Sequence, residues 1–265
     1  MNIHVFKLSG KVINQPSILE SVAQKIEQLQ RCYGFKAVIV HGGGKYCDQW
    51  CEQWEFDVQK HKGLRVTPAK QMPIIAGALS GYAHTQVIGA LSKVGLNPVS
   101  FNPSTGNTLN CELHPEHKAL GRVGVVKPNQ PTLVKRLLSL DYLPVFHSLG
   151  FSEEGECLNV NADDVAVALA ECIGASELIL LSDVDGLLDA EGQSIASLNY
   201  KQLPSLLLSP SVSGGMKNKL SVLTSDYVGS MNRVVITNGL TPNLLEEQLY
   251  GSSKGATVLT AGEAV

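Results

Sequence analysis

The chain has 265 residues, 44% of them hydrophobic, and a formal net charge of −3 at pH 7, so its composition suits one large globular domain and shows no basic excess for a nucleic-acid partner. No apolar run approaches the roughly 20 residues that span a bilayer, and the first residues lack the features of a signal peptide. We therefore expect a cytoplasmic protein with reduced cysteines, no nucleic-acid partner and no membrane partner.

The first half of the chain alternates between predicted strands and helices. Apolar spacing predicts strands at 3–8, 37–40, 98–101 and 143–146, and helices at about 18–29, 45–54, 67–94 and 132–140. Thr67 and Pro68 have the pattern of a helix start, a cap followed by a first-turn proline, and Gly95 stands where a C-cap glycine is expected. Residues 105–126 are irregular and suit hairpins.

The second half repeats the alternation. Helices are predicted at 162–173, 216–228 and 242–249, and strands at 177–181, 234–237 and 257–259. Strands that alternate with helices predict an α/β three-layer sandwich with a central, mostly parallel sheet. We expect one domain over 1–265, with an N-terminal lobe at about 1–158 and a C-terminal lobe at about 159–265.

A run of glycines follows the second predicted strand, at His41-Gly42-Gly43-Gly44. Sheets of this kind bind ligands at the carboxyl ends of their strands. Successive glycines let the backbone approach a ligand, and their N–H groups with the following helix N-terminus can hold an anion. The loop matches neither the Walker motif nor the Rossmann fingerprint, which disfavours a nucleotide-binding oxidoreductase.

Two lysines are candidates for contact with a phosphate. Lys7, followed by Ser9 and Gly10, lies near the end of a buried strand, where an ammonium is costly unless it meets an anion. In the glycine-rich segment Ser213-Gly214-Gly215-Met216-Lys217-Asn218-Lys219, one of the two lysines can point toward a phosphate held across the cleft. The alternatives are a sheet-edge position for Lys7 and, for Lys219 with its neighbour Lys217, a solvated helix face.

Polar residues in two further segments are candidates for substrate contact. Arg65 precedes a predicted helix, and the planar fork of arginine suits bidentate carboxylate binding, although a surface loop position is equally expected. Residues 159–164 open another helix, where Asn161 is a predicted cap. Asp163 could organise lysines, and Asn159 could hold substrate.

The order of these motifs resembles the amino acid kinase family over nearly the whole chain. The motifs are Lys-x-(Gly/Ser)-Gly, His-Gly-Gly-Gly, Asn-x-Asn-x-Asp, Leu-Ser-Asp-Val-x-Gly and Gly-Gly-Met-x-x-Lys. Within the family, Gly63-Leu64-Arg65-Val66-Thr67 and Leu158-Asn159-Val160-Asn161-Ala162-Asp163 are similar to the acetylglutamate kinase branch.

This resemblance implies a phosphotransferase that uses ATP and Mg²⁺ to phosphorylate the γ-carboxylate of N-acetyl-L-glutamate in arginine biosynthesis. It implies that Lys7 and Lys219 stabilise the transferring phosphoryl group and that Asp163 holds both lysines. It implies substrate contacts from Gly43, Gly44, Arg65 and Asn159. The implied nucleotide pocket, in the C-terminal lobe with Gly10 beside it, is lined by Ser182, Asp183, Val184, Asp185, Gly186, Leu187, Leu188, Ser211, Val212 and Ser213. No residue is implied as a protein ligand of the metal.

The chain departs from the branch at three places. Ser9 replaces a usual glycine, His84-Thr85 replaces an Asn-Lys pair, and Lys217 adds a second lysine. The alternatives are therefore a sister kinase acting on another acylated acidic amino acid, such as a protected aminoadipate, or a non-catalytic regulatory relative. Uridylate kinase, which shares Lys-x-Ser-Gly, is disfavoured by the surroundings of Arg65.

The predicted first strand begins at about Ile3, which leaves no room before it for the N-terminal helix that interlaces arginine-inhibited acetylglutamate kinases into hexamers. We therefore expect a homodimer, built on a two-fold interface with the long helix at 67–94, and no arginine feedback through that helix.

Overall fold

The computed structural model describes residues 1–189, 191–208, 214–223, 231–252 and 254–261 and confirms the α/β architecture. The strands in those ranges are β1 (Ile3–Leu8), β2 (Lys36–His41), β3 (Lys60–His61), β4 (Leu64–Arg65), β5 (Pro98–Phe101), β6 (Leu109–Leu113), β7 (Val123–Pro128), β8 (Leu143–His147), β9 (Leu149–Phe151), β10 (Cys157–Val160), β11 (Glu177–Ser182), β12 (Leu187–Leu188), β13 (Ser194–Ile195), β14 (Ser197–Asn199), β15 (Arg233–Asn238) and β16 (Ala256–Thr260). The α-helices are α1 (Gly10–Ile13), α2 (Pro16–Tyr33), α3 (Gly44–Gln53), α4 (Met72–Ala76), α5 (His84–Lys93), α6 (His117–Leu120), α7 (Thr132–Ser139), α8 (Ala162–Ile173), α9 (Leu203–Leu207), α10 (Gly214–Val222) and α11 (Leu245–Tyr250). Short 3-10 turns lie at Ala69–Gln71, Thr105–Asn107, Tyr200–Gln202 and Pro242–Leu244.

An eight-stranded central sheet has the order β14-β16-β15-β11-β1-β2-β8-β5. All of its neighbouring strands run parallel except β15 and β16, so the mostly parallel sheet is confirmed. Strand β1 lies between β2 and β11, and the register aligns Leu8 with His41 on one side and with Leu181 on the other. The segments that follow these three strands therefore meet at one edge of the sheet.

The central strands are buried on both faces. Val5 and Val38 pack in a core on one face, and Phe6 and Ile39 pack in a core on the other, because successive strand residues point to opposite sides. The first core contains residues of α7, α8 and α10, and the second contains residues of α2, α5 and α11. Helices thus cover both faces, which is the predicted three-layer sandwich.

The predicted start of the long helix at Thr67 and Pro68 is wrong by two residues. Thr67 forms a parallel bridge with Gly121: its N–H donates to Leu120 and its carbonyl accepts from Arg122. Pro68 is still extended, with ψ 147°. Since the backbone of Thr67 is committed to this pairing, the helical segment begins at Ala69.

The long helix at 69–93 combines a 3-10 turn, α4, a π-helical segment at Gly77–Ala83 and α5. Its most apolar 18-residue stretch has a mean hydropathy of 1.2, so by length and composition alone this helix could cross a bilayer. However, 44% of that apolar window is buried inside the protein, where Ile75 and Ala78 pack with Cys47 and Cys51 of α3. This is the environment of a core helix, and no membrane partner is implied by it.

A smaller sheet of order β6-β7-β10-β9 packs beside the central one. The antiparallel pairing of β6 with β7 confirms a hairpin within 105–126. The helix predicted at 162–173 is confirmed as α8, with Asn161 as its cap, and Asn159 and Val160 before it end β10. The short elements α1, β3, β4, β12 and β13, each of two to four residues, escaped prediction because they are too short to show a period.

The central sheet takes strands from both halves of the chain. The lobe boundary near residue 159 stays a prediction.

Candidate active site

A cleft of about 330 Å³ opens at the carboxyl ends of β1 and β2. The structure brings together there many of the residues that the sequence singled out. The cleft is lined, among others, by Lys7, Gly10, Gly43, Gly44, Arg65, Asn159 and Asp163. Their elements are far apart in sequence and converge because β1 lies centrally in the sheet.

Two lysines share one aspartate at this edge of the sheet. The Asp163 Oδ1 lies 2.8 Å from the Lys7 Nζ and 3.6 Å from the Lys219 Nζ. The Lys7, Lys219 and Asp163 side chains are 10%, 9% and 14% exposed. The alternatives of a sheet-edge Lys7 and a solvated Lys219 are therefore wrong, whereas Lys217 is exposed.

The electrostatics of this cluster leave it short of negative charge. Burial raises the pKa of Asp163, but the charges of Lys7 and Lys219 outweigh it and bring that pKa to about 2. Burial and then repulsion from Lys7 lower the pKa of Lys219 from 10.5 to about 8, despite the attraction of Asp163. Two cations around one anion in a buried site favour binding of a further anion.

The glycine loop at 42–44 passes close to the long helix. A Cβ on Gly43 would lie 3.2 Å from the Ala83 Cβ and 3.3 Å from the Leu79 Cα, which explains the need for glycine there. Gly43 is the N-cap of α3, whose first N–H groups have no intrahelical partner. The loop and helix start thus present backbone donors beside the lysine cluster.

Arg65 of β4 reaches across the cleft to α3. Its Nη2 donates to the Asp48 carboxylate and, at 3.0 Å, to the Gly44 carbonyl oxygen. Its Nη1 is buried and has no hydrogen-bond partner among the described residues. Because a buried guanidinium nitrogen without a partner is costly, Arg65 is prepared for an acceptor that the protein itself does not supply.

Asn159 lines the cleft from the end of β10. Its Nδ2 donates to the Thr67 Oγ1 at 3.1 Å, which fixes the orientation of the side-chain amide. The neighbouring Asn161 caps α8, with its Oδ1 accepting from the Asp163 N–H at 3.3 Å, as predicted. The cap places Asp163 in the first turn of α8, facing the lysines.

The predicted nucleotide segment follows β11 and lies outside the lining of this cleft. Asp183 pairs with Lys11, next to Gly10, at 2.5 Å, and Asp185 accepts from the Asn238 Nδ2 at 2.8 Å. Gly186 has φ 125°, a conformation that other residues rarely adopt. Ser182 is buried, as is Leu187, while Val184 and Leu188 are exposed. Ser211, Val212 and Ser213 lie outside the described residues.

Three features of the site escaped sequence reasoning. Lys11 and Asp48 each form an ion pair with a residue far away in sequence, Lys11 with Asp183 and Asp48 with Arg65. Cys47 and Lys60 also line the cleft. A third feature is a contact between His41 and His84, 43 residues apart. No local pattern marks such pairs, although the unusual His84 had already stood out.

Comparison with known proteins decides the family. The amino acid kinase family model matches residues 2–238. The chain belongs to the amino acid kinase family. The acetylglutamate kinase of Pasteurella multocida is 36% identical over 256 residues, covering 96% of this chain and 98% of its own length. The acetylglutamate kinase of Colwellia psychrerythraea is 33% identical, covering 96% of this chain and 95% of its own length.

A solved structure shares the fold. The smu.665 protein of Streptococcus mutans superposes with a TM-score of 0.80 at 25% identity, over 98% of this chain and 99% of that one. The protein is thus a kinase of this family, and membership implies ATP as the phosphoryl donor.

Proposed function

We propose that this protein transfers the γ-phosphoryl group of ATP to the γ-carboxylate of N-acetyl-L-glutamate, giving N-acetyl-L-glutamyl 5-phosphate in arginine biosynthesis. The observation that carries the proposal is the buried cluster of Lys7, Asp163 and Lys219, in the same cleft region as the glycine loop and the unsatisfied donor of Arg65. The names of the relatives support the identity of the acceptor.

The chemistry suits such a site. A carboxylate acceptor is already ionised at pH 7, so the reaction needs no general base. Phosphoryl transfer depends mainly on alignment and on neutralisation of charge. In the proposal, the Lys7 and Lys219 ammonium groups offset the repulsion between the two anions and stabilise the transferring phosphoryl oxygens, while Asp163 keeps both lysines in place.

The acceptor is held by the N-terminal part of the site. The Nη1 of Arg65 donates to the α-carboxylate, and Asn159 hydrogen-bonds the acylated amino group. The backbone N–H groups of Gly43 and Gly44 contact the γ-carboxylate and the moving phosphate. Arg65 is matched to this task because its Asp48 pair leaves one nitrogen available while fixing the plane of the guanidinium.

The nucleotide is proposed to occupy the C-terminal part, against Gly10, the residues 182–188 and the residues 211–213. Among the described residues no group of three or more His, Cys, Asp or Glu side chains is arranged to hold a metal ion. Mg²⁺ commonly binds through substrate phosphates with few protein ligands. We therefore propose that Mg²⁺ enters with ATP, where it neutralises phosphate charge.

The six cysteines are all free thiols, which supports a reducing compartment, and we propose the cytoplasm. We also propose a homodimer that pairs through the long helix at 69–93. Sedimentation at micromolar concentration tests this assembly, and a monomer or a hexamer would contradict it.

A hydroxylamine assay tests the reaction. Purified protein with ATP, Mg²⁺ and millimolar acetylglutamate should give an acyl hydroxamate, because hydroxylamine traps acyl phosphates. The panel includes glutamate and acylated aminoadipate, which report a different acceptor if one of them gives the faster reaction. Absence of hydroxamate above background from folded protein, with every acceptor, would contradict the proposal.

A further inference from the structure

Three histidines meet behind the glycine loop. His41 ends β2, His147 ends β8 in register with it, and His84 is the first residue of α5. The His41 Nε2 lies 2.7 Å from the His84 Nδ1, and the His84 and His147 rings meet edge to face with centroids 5.1 Å apart. His41 is fully buried, and His84 is 5% exposed.

The hydrogen bonds allow one assignment of protons to His41 and His84. The His41 Nδ1 lies 2.9 Å from the Gly42 carbonyl oxygen, which can only accept, so this nitrogen carries a proton. Burial lowers the pKa of His41 to about 3 and that of His84 to about 4, so both rings are neutral at pH 7. The His41 Nε2 is therefore a bare acceptor, and the His84 Nδ1–H must donate to it.

This assignment leaves the His84 Nε2 as a buried acceptor without a hydrogen-bond partner in the described part of the chain. A buried acceptor without a partner is costly, so this tautomer of His84 is stabilised by the hydrogen bond that its Nδ1–H donates to His41. On the far side of the cluster, the His147 Nδ1 accepts from the Leu149 N–H at 3.3 Å, which makes the Nε2 of His147 its protonated nitrogen.

The bond to Gly42 fixes a donor of the active site. In a trans peptide the C=O and the next N–H point in opposite directions, and the described residues contain no cis peptide. His41 holds the Gly42 carbonyl on the buried side, so the N–H of Gly43 points away from it. Gly43 lines the cleft, and its N–H makes no hydrogen bond to another described residue.

We propose that His84 is a positioning residue, whose Nδ1–H holds the His41 ring so that His41 turns the peptide between Gly42 and Gly43 and aims the Gly43 N–H at the transferring phosphoryl group. The inference rests on the proposed function for the identity of that group. The two hydrogen bonds that link His84 to His41 and His41 to the Gly42 carbonyl, here called the relay, are a property of the free protein. The relay assigns a role to a buried histidine outside the cleft lining.

Kinetics of three variants test the role. His84→Leu removes the donor and should lower kcat roughly 10- to 100-fold, the range expected when a reacting group is misplaced by up to about 1 Å, with little change in either KM. His84→Asn keeps an N–H donor at the same distance from the backbone and should recover most of that loss. Val87→Ala, also buried on α5, controls for stability, because it leaves the donor in place.

The relay is contradicted if Val87→Ala lowers kcat as much as His84→Leu at equal melting temperature, or if His84→Asn is no better than His84→Leu. Activity is not the only readout. In protein labelled with ¹⁵N-histidine, long-range ¹H–¹⁵N spectra at pH 7 should show protonated Nδ1 in both His41 and His84.

A protonated Nε2 or a charged ring at His41 would overturn the relay whatever the activity. Because the spectra need no substrate, they test it even if the wild type phosphorylates none of the acceptors. A wild type without activity would contradict the proposed function, but the protonated nitrogens of His41 and His84 would still support the relay.

Discussion

Nucleotide binding should take up a proton at Lys219. In the free protein the pKa of Lys219 is about 8 instead of 10.5, because burial and then the Lys7 charge disfavour its ammonium, with Asp163 acting against them. The difference of 2.5 pH units corresponds to about 3 kcal/mol. In the proposed function the phosphates of ATP supply the negative charge that this site lacks, so binding should return the pKa of Lys219 toward its ordinary value.

The size of the effect follows from the two pKa values. With a free pKa of about 8, roughly nine tenths of Lys219 is charged at pH 7 and roughly one tenth at pH 9. Binding of Mg²⁺ with a non-hydrolysable ATP analogue should therefore take up roughly 0.1 proton at pH 7 and up to about 0.9 at pH 9. The affinity should weaken by up to tenfold for each pH unit above 8.

Calorimetry in buffers of different ionisation enthalpy measures this uptake. Lys219→Arg keeps the charge and does not titrate below pH 12, so its uptake at pH 9 should vanish. Lys217→Ala is the matched control, since Lys217 is exposed on the same helix, and it should behave as the wild type. An uptake near zero at pH 9 in the wild type, or an unchanged uptake in Lys219→Arg, would refute the reasoning.

The same shift affects folding stability. Between pH 8 and pH 10.5 the unfolded chain binds more protons at Lys219 than the folded protein does, so the contribution of this group to the free energy of unfolding rises with pH by about 3 kcal/mol across that window. At neutral pH the charged Lys219 is therefore a destabilising element of the free protein.

Three other perturbations address separate parts of the site. Arg65→Ala should raise the KM for acetylglutamate roughly 10- to 100-fold through loss of a charge-assisted hydrogen bond, with the KM for ATP nearly unchanged; steady-state kinetics in which both rise equally would contradict a carboxylate contact. The pKa of the Asp163 carboxylate is about 2, below its ordinary 3.8, so the charged group contributes about 2 kcal/mol to the free energy of unfolding above pH 4. This contribution is lost as the pH falls from about 4 to about 2, and Asp163→Asn removes it. Urea unfolding at pH 7 should show at least that loss, and a stability equal to wild type would speak against the cluster. Gly186→Ala should destabilise the protein by about 1–3 kcal/mol, because φ is 125° and the new Cβ would lie 2.6 Å from the Thr257 Oγ1. Thermal melting should show a smaller loss for Gly192→Ala, a position with positive φ but open space around it. Equal losses in the two variants would exclude the clash.

The sequence was sufficient to locate the cleft at the carboxyl ends of β1 and β2. Lys7 and the glycine loop each follow a buried strand, and in a parallel sheet the ends of neighbouring strands meet. Short, nearly continuous apolar runs identified β1, β2 and β11 nearly to the residue, because both faces of these strands are buried. The position of the cleft therefore followed from local patterns alone.

Contacts between elements could not be read in the same way. Thr67 had the pattern of a helix cap, but its backbone pairs with Gly121, over 50 residues away, and this pairing delays the helix. Arg65 and Lys219 each retained a surface alternative, since exposure depends on what packs over a side chain. The bond from His84 to His41 likewise joins two residues with no local relation.

The buried cluster explains why these distant contacts matter together. Lys7 and Lys219 face one carboxylate, so the free protein keeps an unbalanced positive charge in a site where water does not fully solvate it. In the proposed function, a transferring phosphoryl group removes that imbalance. The electrostatic cost in the free protein and the stabilisation of the transition state are then two consequences of one arrangement, in which the backbone donors of the glycine loop must be aimed at the same place. Substitutions that relieve the charge imbalance, such as Lys219→Met, should therefore make the free protein more resistant to unfolding at pH 7 while abolishing phosphoryl transfer.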